Sequence, residues 1–492
     1  GGGGGGAGAA QDPPAPPPPP APDLSLLDGL DLVWELLRPV PTLREVPRGA
    51  QVPLAELTAQ LCHAATSELP GSPEAERAWA LLLLHHRLLL RAPTASRAGG
   101  RGRRRAQQEL VLDRISRAGR GEWAALLEEA REQAAAGVAR RAGTAALRGL
   151  DGSALAGEVI RRVSLGELGR AAQLLGQAKV AAPCPEVRAE LQSLLVTLAE
   201  QRGLLAADPD ADEEVPARHL AKELRKAPRS SGPGPSGSRF THWQSCQHSP
   251  GAMTALGVVV DRIASGRVPP GAAAGLALTS LTPLRKKNGR LRPVAAGEAL
   301  RRLTAKALAR AHATPIAEAV GLAQFGVGTP GGTEALSHAV QVEAGRRPQA
   351  AFVALDMRSA FPGLDRDEVL AAVGLHAPFL LPYARLFLGR RSRYRFLGAD
   401  GEGEALLADQ GVDQGDPLAP AFLAVTIRRP LERLEARLRE LAEEEGFTPD
   451  AAADAIRVRA YLDDVLVRVP DTLAARVPAE AAAALAAAGG GL

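Results

Sequence analysis

Three aspartates in two places are the residues of this chain best suited to hold a divalent cation. Asp463 and Asp464 stand side by side in Tyr461-Leu462-Asp463-Asp464, and Asp356 closes the earlier apolar run Phe352-Val-Ala-Leu-Asp356. The pair is flanked by Ile456-Arg-Val-Arg-Ala460 and Val465-Leu-Val-Arg-Val469. That period-two alternation predicts two half-buried strands with Leu462-Asp463 as the turn between them. Like charges side by side repel, and a divalent cation is one physical reason to keep them there. For the tetrapeptide alone, an ordinary Asp-rich turn facing water is the plain alternative.

Nucleotidyl transfer is the chemistry that such a set could serve. It needs two divalent ions, one activating an attacking 3′ hydroxyl and one holding the triphosphate. Magnesium is held by one or two carboxylates plus phosphate and water, so Asp356 and Asp463 would suffice as direct ligands, with Asp464 assisting. Two further segments supply complementary parts. Leu284-Arg-Lys-Lys-Asn-Gly-Arg-Leu-Arg-Pro293 places Lys286, Lys287 and Arg292 around an Asn288-Gly289 turn, where they could lay cations on a triphosphate; a basic surface hairpin is the alternative. Gln410-Gly-Val-Asp-Gln-Gly-Asp-Pro-Leu418 opens a helix. There Gly411 and Gly415 permit close backbone approach, and Asp416 and Pro417 suit a cap and first turn. A capped helix without a ligand reads equally well.

The elements that must position these residues begin after about Leu281. Short β-like runs there alternate with helices from Glu298, Thr333 and Asp367, which argues for an α+β domain. Upstream, residues 24–204 carry apolar residues three and four apart, as in Leu30, Val33, Trp34 and Leu37 or along Ala78 to Leu90. This predicts a mainly helical region, broken at Pro39, Pro41, Pro47 and Pro53. Arg97, Arg101, Arg103, Arg104 and Arg105 read as a Gly-punctuated basic loop, either a phosphate-binding or nuclear-import patch or a solvated linker. Residues 205–240 turn acidic and then Pro/Gly/Ser-rich, the composition of a linker, and residues 1–23 form a Gly/Pro-rich leader expected to be disordered.

At 492 residues the chain has room for two to four domains, and its +4 balance permits nucleic-acid binding without demanding it. Cys62, Cys184 and Cys246 are too few and scattered for a disulfide framework and suit a reducing compartment; Cys246 with His242 and His248 lacks the second cysteine pair of a zinc site. The Ala78 to Leu90 run is interrupted by His85, His86 and Arg87 and is too short to span a bilayer.

Leu355-Asp-Met-Arg-Ser-Ala-Phe361, Gln410 to Leu418 and Tyr461-Leu-Asp-Asp464 resemble, in order, the three central palm motifs of reverse transcriptases of the non-LTR retrotransposon type. Lys286 to Pro293 resembles the preceding fingers motif. Glu298-Ala-Leu-Arg-Arg302 and Gly326-Val-Gly-Thr-Pro-Gly-Gly332 resemble connecting segments, and Gly232 to Gly237 with His242 resembles the opening segment. The resemblance covers roughly residues 230–492. It implies a right-hand polymerase with fingers and an antiparallel palm sheet over 241–492, core motifs 281–492, behind the helical region.

By the same resemblance, Asp356, Asp463 and Asp464 are the catalytic acids, binding two magnesium ions, with manganese as a substitute. Phe361 is the steric gate against a ribose 2′ hydroxyl. Gln414 and Gly415 contact the incoming nucleotide and template base, Lys286 or Lys287 with Arg292 holds the triphosphate, and Tyr461 and Leu462 form the primer-side hairpin. The implied partners are an RNA template, a DNA primer or nicked target DNA, and dNTPs, without a membrane; the implied compartment is intracellular, the nucleus for a eukaryotic retroelement. Ser359, Pro362 and Leu462 depart from common family residues but are tolerable.

The resemblance also reads Leu485 to Leu492 as the start of the next palm motif, so that a thumb is missing and little processive synthesis is expected. Gly157 to Val163, Leu168 to Leu175 and Val180 to Pro183 resemble a stretch upstream of some retrotransposon polymerases, where Arg161, Arg162 and Arg170 would contact template RNA; a helical packing module is the alternative. Two readings compete with the polymerase: an inactive remnant that only binds nucleic acid or a partner, and an RNA-copying RNA polymerase. Phe361 argues against the second, because an enzyme making RNA must admit the 2′ hydroxyl.

Overall fold

The structure, a computed structural model, describes residues 27–69, 71–93, 100–142, 152–164, 179–195, 213–286, 288–486 and 488. The leader, Arg97, Leu168 to Leu175 with Arg170, Lys287 and the last four residues lie outside them. Two sheets are built among helices in a mixed α+β architecture. The smaller is antiparallel, ordered β4-β8-β7, with β4 at Ala350–Asp356, β7 at Arg457–Tyr461 and β8 at Asp464–Pro470. The expected alternation is present: Val458, Ala460, Val465, Val467 and Val469 are buried on one face. Beneath that face runs the Ala419–Glu444 helix, whose Leu423, Ile427, Leu431, Leu434 and Leu438 are buried at helical spacing.

The larger sheet joins β2 (Thr279–Arg285), β3 (Leu291–Gly297), β5 (Ser392–Leu397) and β6 (Gly403–Ala408) to β1 (Lys179–Val180). β3 pairs along the whole of one edge of β2. The other edge is shared, with β5 parallel to Thr279 and Ser280 and β1 antiparallel to Leu284 and Arg285. The region 24–204 is therefore not wholly helical: it supplies a strand, followed by the Pro185–Leu195 helix, whose Val187, Leu191 and Leu195 share a core with Leu281, Tyr394 and Leu406.

Composition misread three segments. The stretch 205–240 holds the Ala217–Lys226 helix, with Leu220 and Leu224 buried and Glu223 paired to Arg310. Its Pro/Gly/Ser-rich end is also interior, because small residues let the backbone close on a buried carboxylate. Glu298 accepts from the Ser236 N–H at 2.6 Å and from the Ser236 hydroxyl at 2.7 Å. Arg101 to Arg105 lie in the Gly100–Gly119 helix instead of a loop, since two glycines near a helix start cost only about 1 kcal/mol each. Pro53 sits in the first turn of the Gln51–Ser67 helix, where no N–H is needed.

The N-terminal helices share one apolar core with the rest of the chain, from Leu27 through Trp79, Trp243 and Leu256 to Leu485. At its centre, His85, His86 and His242 are buried together beside Trp243. His86 meets Ser238 at 2.9 Å and His242 meets the Leu43 carbonyl at 2.7 Å. Among the described residues no helix is long and apolar enough to cross a membrane.

Candidate active site

The β4-β8 register makes Asp356 and Asp464 direct cross-strand partners. Since Leu355, Val353 and Ala351 pair with the buried valines of β8, the two acids stand on the opposite face, and both are exposed. Asp463 occupies the hairpin turn, and its carbonyl accepts the Met357 N–H at 3.2 Å, so the backbones of all three acids are tied together. Burial, then the charges of Asp463 and Asp356, raise the Asp464 pKa above its ordinary value. These are hard oxygen donors with mutual repulsion that a dication relieves. Among the described residues no three or more acid, His or Cys groups form a ready-made metal cage.

The turn is strained. Leu462 has φ +56°, a left-handed conformation unfavourable for a bulky residue by roughly 1–3 kcal/mol. Gln324 holds it there. This side chain is buried, and its Oε1 accepts the N–H groups of both Leu462 and Gly326 at 2.8 Å. Its own segment bridges the edge of β7, with Phe325 N–H to the Ala460 carbonyl and Ala460 N–H to that of Ala323, each at 2.8 Å. Tyr461, half-buried, ends β7 opposite Asp464.

Phe361 lies five residues beyond Asp356 on the short Ala360–Gly363 helix, half-buried against the core. Its carbonyl accepts from Val412 at 2.9 Å, and that of Leu364 accepts from Gly411 at 2.7 Å, so the Gln410 to Leu418 loop is fastened to the Asp356 segment. Gly411 is required at this junction: φ is +76°, and a Cβ would lie 2.5 Å from the Pro362 carbonyl oxygen. Gly415 is required at the next, with φ +145° and a Cβ 2.2 Å from the Ala295 oxygen. Ala295 in turn donates to the Gln414 carbonyl at 3.2 Å. Asp416 accepts the Leu418 N–H at 2.9 Å within the turn before the helix, which begins at Ala419 with Leu418 at its cap position and no side-chain cap, two residues later than expected.

Lys286 and Arg292 are exposed at the β2-β3 hairpin, where Lys286 N–H bonds the Arg290 carbonyl at 2.9 Å. Arg292 lies three residues before Ala295, so the basic hairpin and the Gln414 loop are two ends of one strand connection. Arg161 and Arg162 are half-buried on the Gly152–Ser164 helix.

No family model matches the chain. The retrotransposable element SLACS 132 kDa protein of Trypanosoma brucei gambiense is 29% identical to it over 293 residues, which cover 59% of this chain and 22% of that protein. This similarity supports a retroelement-related protein. The chain spans about a fifth of that relative's length. Among solved structures, telomerase from Candida albicans in complex with a TWJ fragment of telomeric RNA matches at a TM-score of 0.30 and 10% identity, covering 44% of this chain and 41% of that one.

Sequence reasoning missed four supports of this site. Gln324 holds the acid turn, and Arg366, fully buried, donates from Nε to the Gly411 carbonyl at 3.0 Å. Arg301 and Asp413 form a buried pair behind Gln414, 2.9 Å apart. The Pro185–Leu195 helix adds a support from far upstream. The Gln410 amide donates to the Leu194 carbonyl at 3.2 Å, and Glu190 accepts the Leu291 N–H at 3.0 Å. Each support is far in sequence from the segment it steadies; the one local clue was an arginine inside an otherwise apolar helical face.

Proposed function

We propose that this chain is the RNA-directed DNA polymerase part of a retroelement protein, with the larger sheet as fingers and β4-β8-β7 as palm. The observation that carries the reading is the register that sets Asp356 against Asp464, beside Asp463 in the turn. Similarity to a retroelement protein supports it independently. The reaction joins a primer 3′ oxygen to the α-phosphorus of a dNTP and releases pyrophosphate. Asp356, Asp463 and Asp464 would hold two magnesium ions, or manganese in their place, which would supply charge neutralisation and hydroxyl activation. Phe361 occupies the space beside C2′ and excludes a ribose hydroxyl by contact. Gln414 and Gly415 present side chain and bare backbone to the base pair being formed. Lys286, Lys287 and Arg292 offer the triphosphate its counter-charges. An RNA template and a DNA primer or nicked target DNA are the partners, and the nucleus is the compartment in a eukaryotic host.

Primer extension on an RNA template by purified chain tests this directly. Magnesium-dependent dNTP incorporation is expected, abolished in Asp463→Asn/Asp464→Asn. Activity that survives the double substitution would sink the assignment, and a preference for NTPs would point to an RNA-making enzyme.

A further inference from the structure

Behind Gln414, half-buried, and Gly415, exposed, lies a buried charged assembly. Arg301, on the Ala299–Ala311 helix that directly succeeds β3, reaches Asp413 Oδ2 with Nη1 at 2.9 Å and Asp416 Oδ2 with Nη2 at 3.0 Å. The two aspartates bracket Gln414 and Gly415 in the chain, and all three charged side chains are at most 8% exposed. Thr279 donates to Asp413 at 3.3 Å, the Tyr394 hydroxyl also bonds it, and Tyr383 donates to Asp416 at 3.3 Å. Phe387 covers the guanidinium, with Cζ 4.2 Å from the ring centre. Strand β2, strand β5, the Leu381–Leu388 helix and the Ala299–Ala311 helix thus all converge on two carboxylates.

Buried ion pairs seldom repay the cost of desolvation, and an apolar substitute is often as stable or more so. Such an assembly is retained where geometry matters. One planar fork here fixes both flanks of the two-residue segment that reaches the surface, which a lysine's single ammonium could not do. The Gln414 carbonyl is already tied to Ala295, six residues before Arg301, so both the flanks and the backbone of this segment refer to one β3-helix unit.

We propose that Arg301 is a positioning residue for the nucleotide-facing Gln414-Gly415 segment, locking it to the fingers through Asp413 and Asp416; this rests on the polymerase reading above. It acts through the aspartates and touches no substrate. The test compares wild type, Arg301→Met, Arg301→Lys and Arg301→Met/Asp413→Asn/Asp416→Asn by dNTP KM and kcat, thermal midpoint, and amide exchange at Ala295 and over residues 411–418. Arg301→Met is expected to raise dNTP KM at least tenfold with kcat changed less than threefold, and to speed exchange at least tenfold at the Ala295 amide, which bonds the Gln414 carbonyl, and at the Asp416 amide, which bonds the Asp413 carbonyl. Arg301→Lys should fall between. The triple variant, which removes the orphaned carboxylates, should regain thermal midpoint while its KM stays high. A KM within twofold of wild type in Arg301→Met, or a KM that recovers along with stability in the triple variant, would overturn the proposal. If wild type incorporates no dNTP, the polymerase reading fails, and exchange still decides the clamp: unchanged protection of the Ala295 and Asp416 amides in Arg301→Met rejects it.

Discussion

Asp356 and Asp464 are direct cross-strand partners, one closing β4 and the other opening β8. Because burial and the charges of Asp463 and Asp356 raise the Asp464 pKa, its ionisation opposes folding at pH values above the ordinary carboxylate range. Asp464→Asn should therefore raise the thermal midpoint at neutral pH, and the gain should vanish in acid, where the wild-type group is protonated. Magnesium competes with the same proton, so its affinity should rise with pH through the acid range. Calorimetric titration at several pH values measures this, and a flat profile would count against shared occupancy.

On the proposed polymerase reading, a small change at Phe361 should alter sugar choice. Phe361→Ala is expected to improve NTP relative to dNTP incorporation by roughly ten- to a hundredfold, the size of effect that side-chain volume in a pocket provides. Competition between the two nucleotide sets on one template gives the ratio. An unchanged ratio would return Phe361 to the role of a core aromatic.

Gln324→Leu tests the support beneath the acid turn. Loss of Oε1 leaves the N–H groups of Leu462 and Gly326 without their acceptor. A destabilisation of about 2 kcal/mol is expected by urea unfolding. Since Leu462 is held in a left-handed conformation, activity should fall further than stability alone explains; Leu462→Asn, which tolerates that conformation, should restore part of the stability.

The buried histidines make a separate forecast. Burial lowers the pKa of His85 from 6.5 to about 4 and that of His242 to about 3, and burial with the neighbouring imidazoles lowers that of His86. Each folded value lies below the unfolded one, so the unfolded chain binds more protons between about pH 4 and 6.5, and stability must rise with pH across that window. For His85 alone the full effect is about 3 kcal/mol. Urea midpoints at pH 5 and 7 should differ clearly, and His85→Gln should flatten the difference.

Much of the site was legible because its signals were local. Alternation around Tyr461 to Asp464 gave the hairpin, and Gly-Asp-Pro gave the loop that leads into the Ala419–Glu444 helix. The supports were not legible. Arg301 reads as a surface residue of a helix until Asp413 is known to lie behind it, and Gln324 reads as part of a loop until Leu462 meets it. The Gly234 to Ser238 stretch has the composition of a linker, yet its small residues are what allow it to close over Glu298. Pairing over such separations leaves no periodicity to find.

The two-residue strand β1 has a consequence out of proportion to its length. It pairs with Leu284 and Arg285 at the outer end of the β2 edge, beyond the Thr279 and Ser280 that β5 covers. A chain lacking residues 179–195 would expose those unpaired N–H and carbonyl groups as a template for other strands. Such a fragment should therefore come out of cells self-associated, and adding back 179–195 as a peptide should compete with that association.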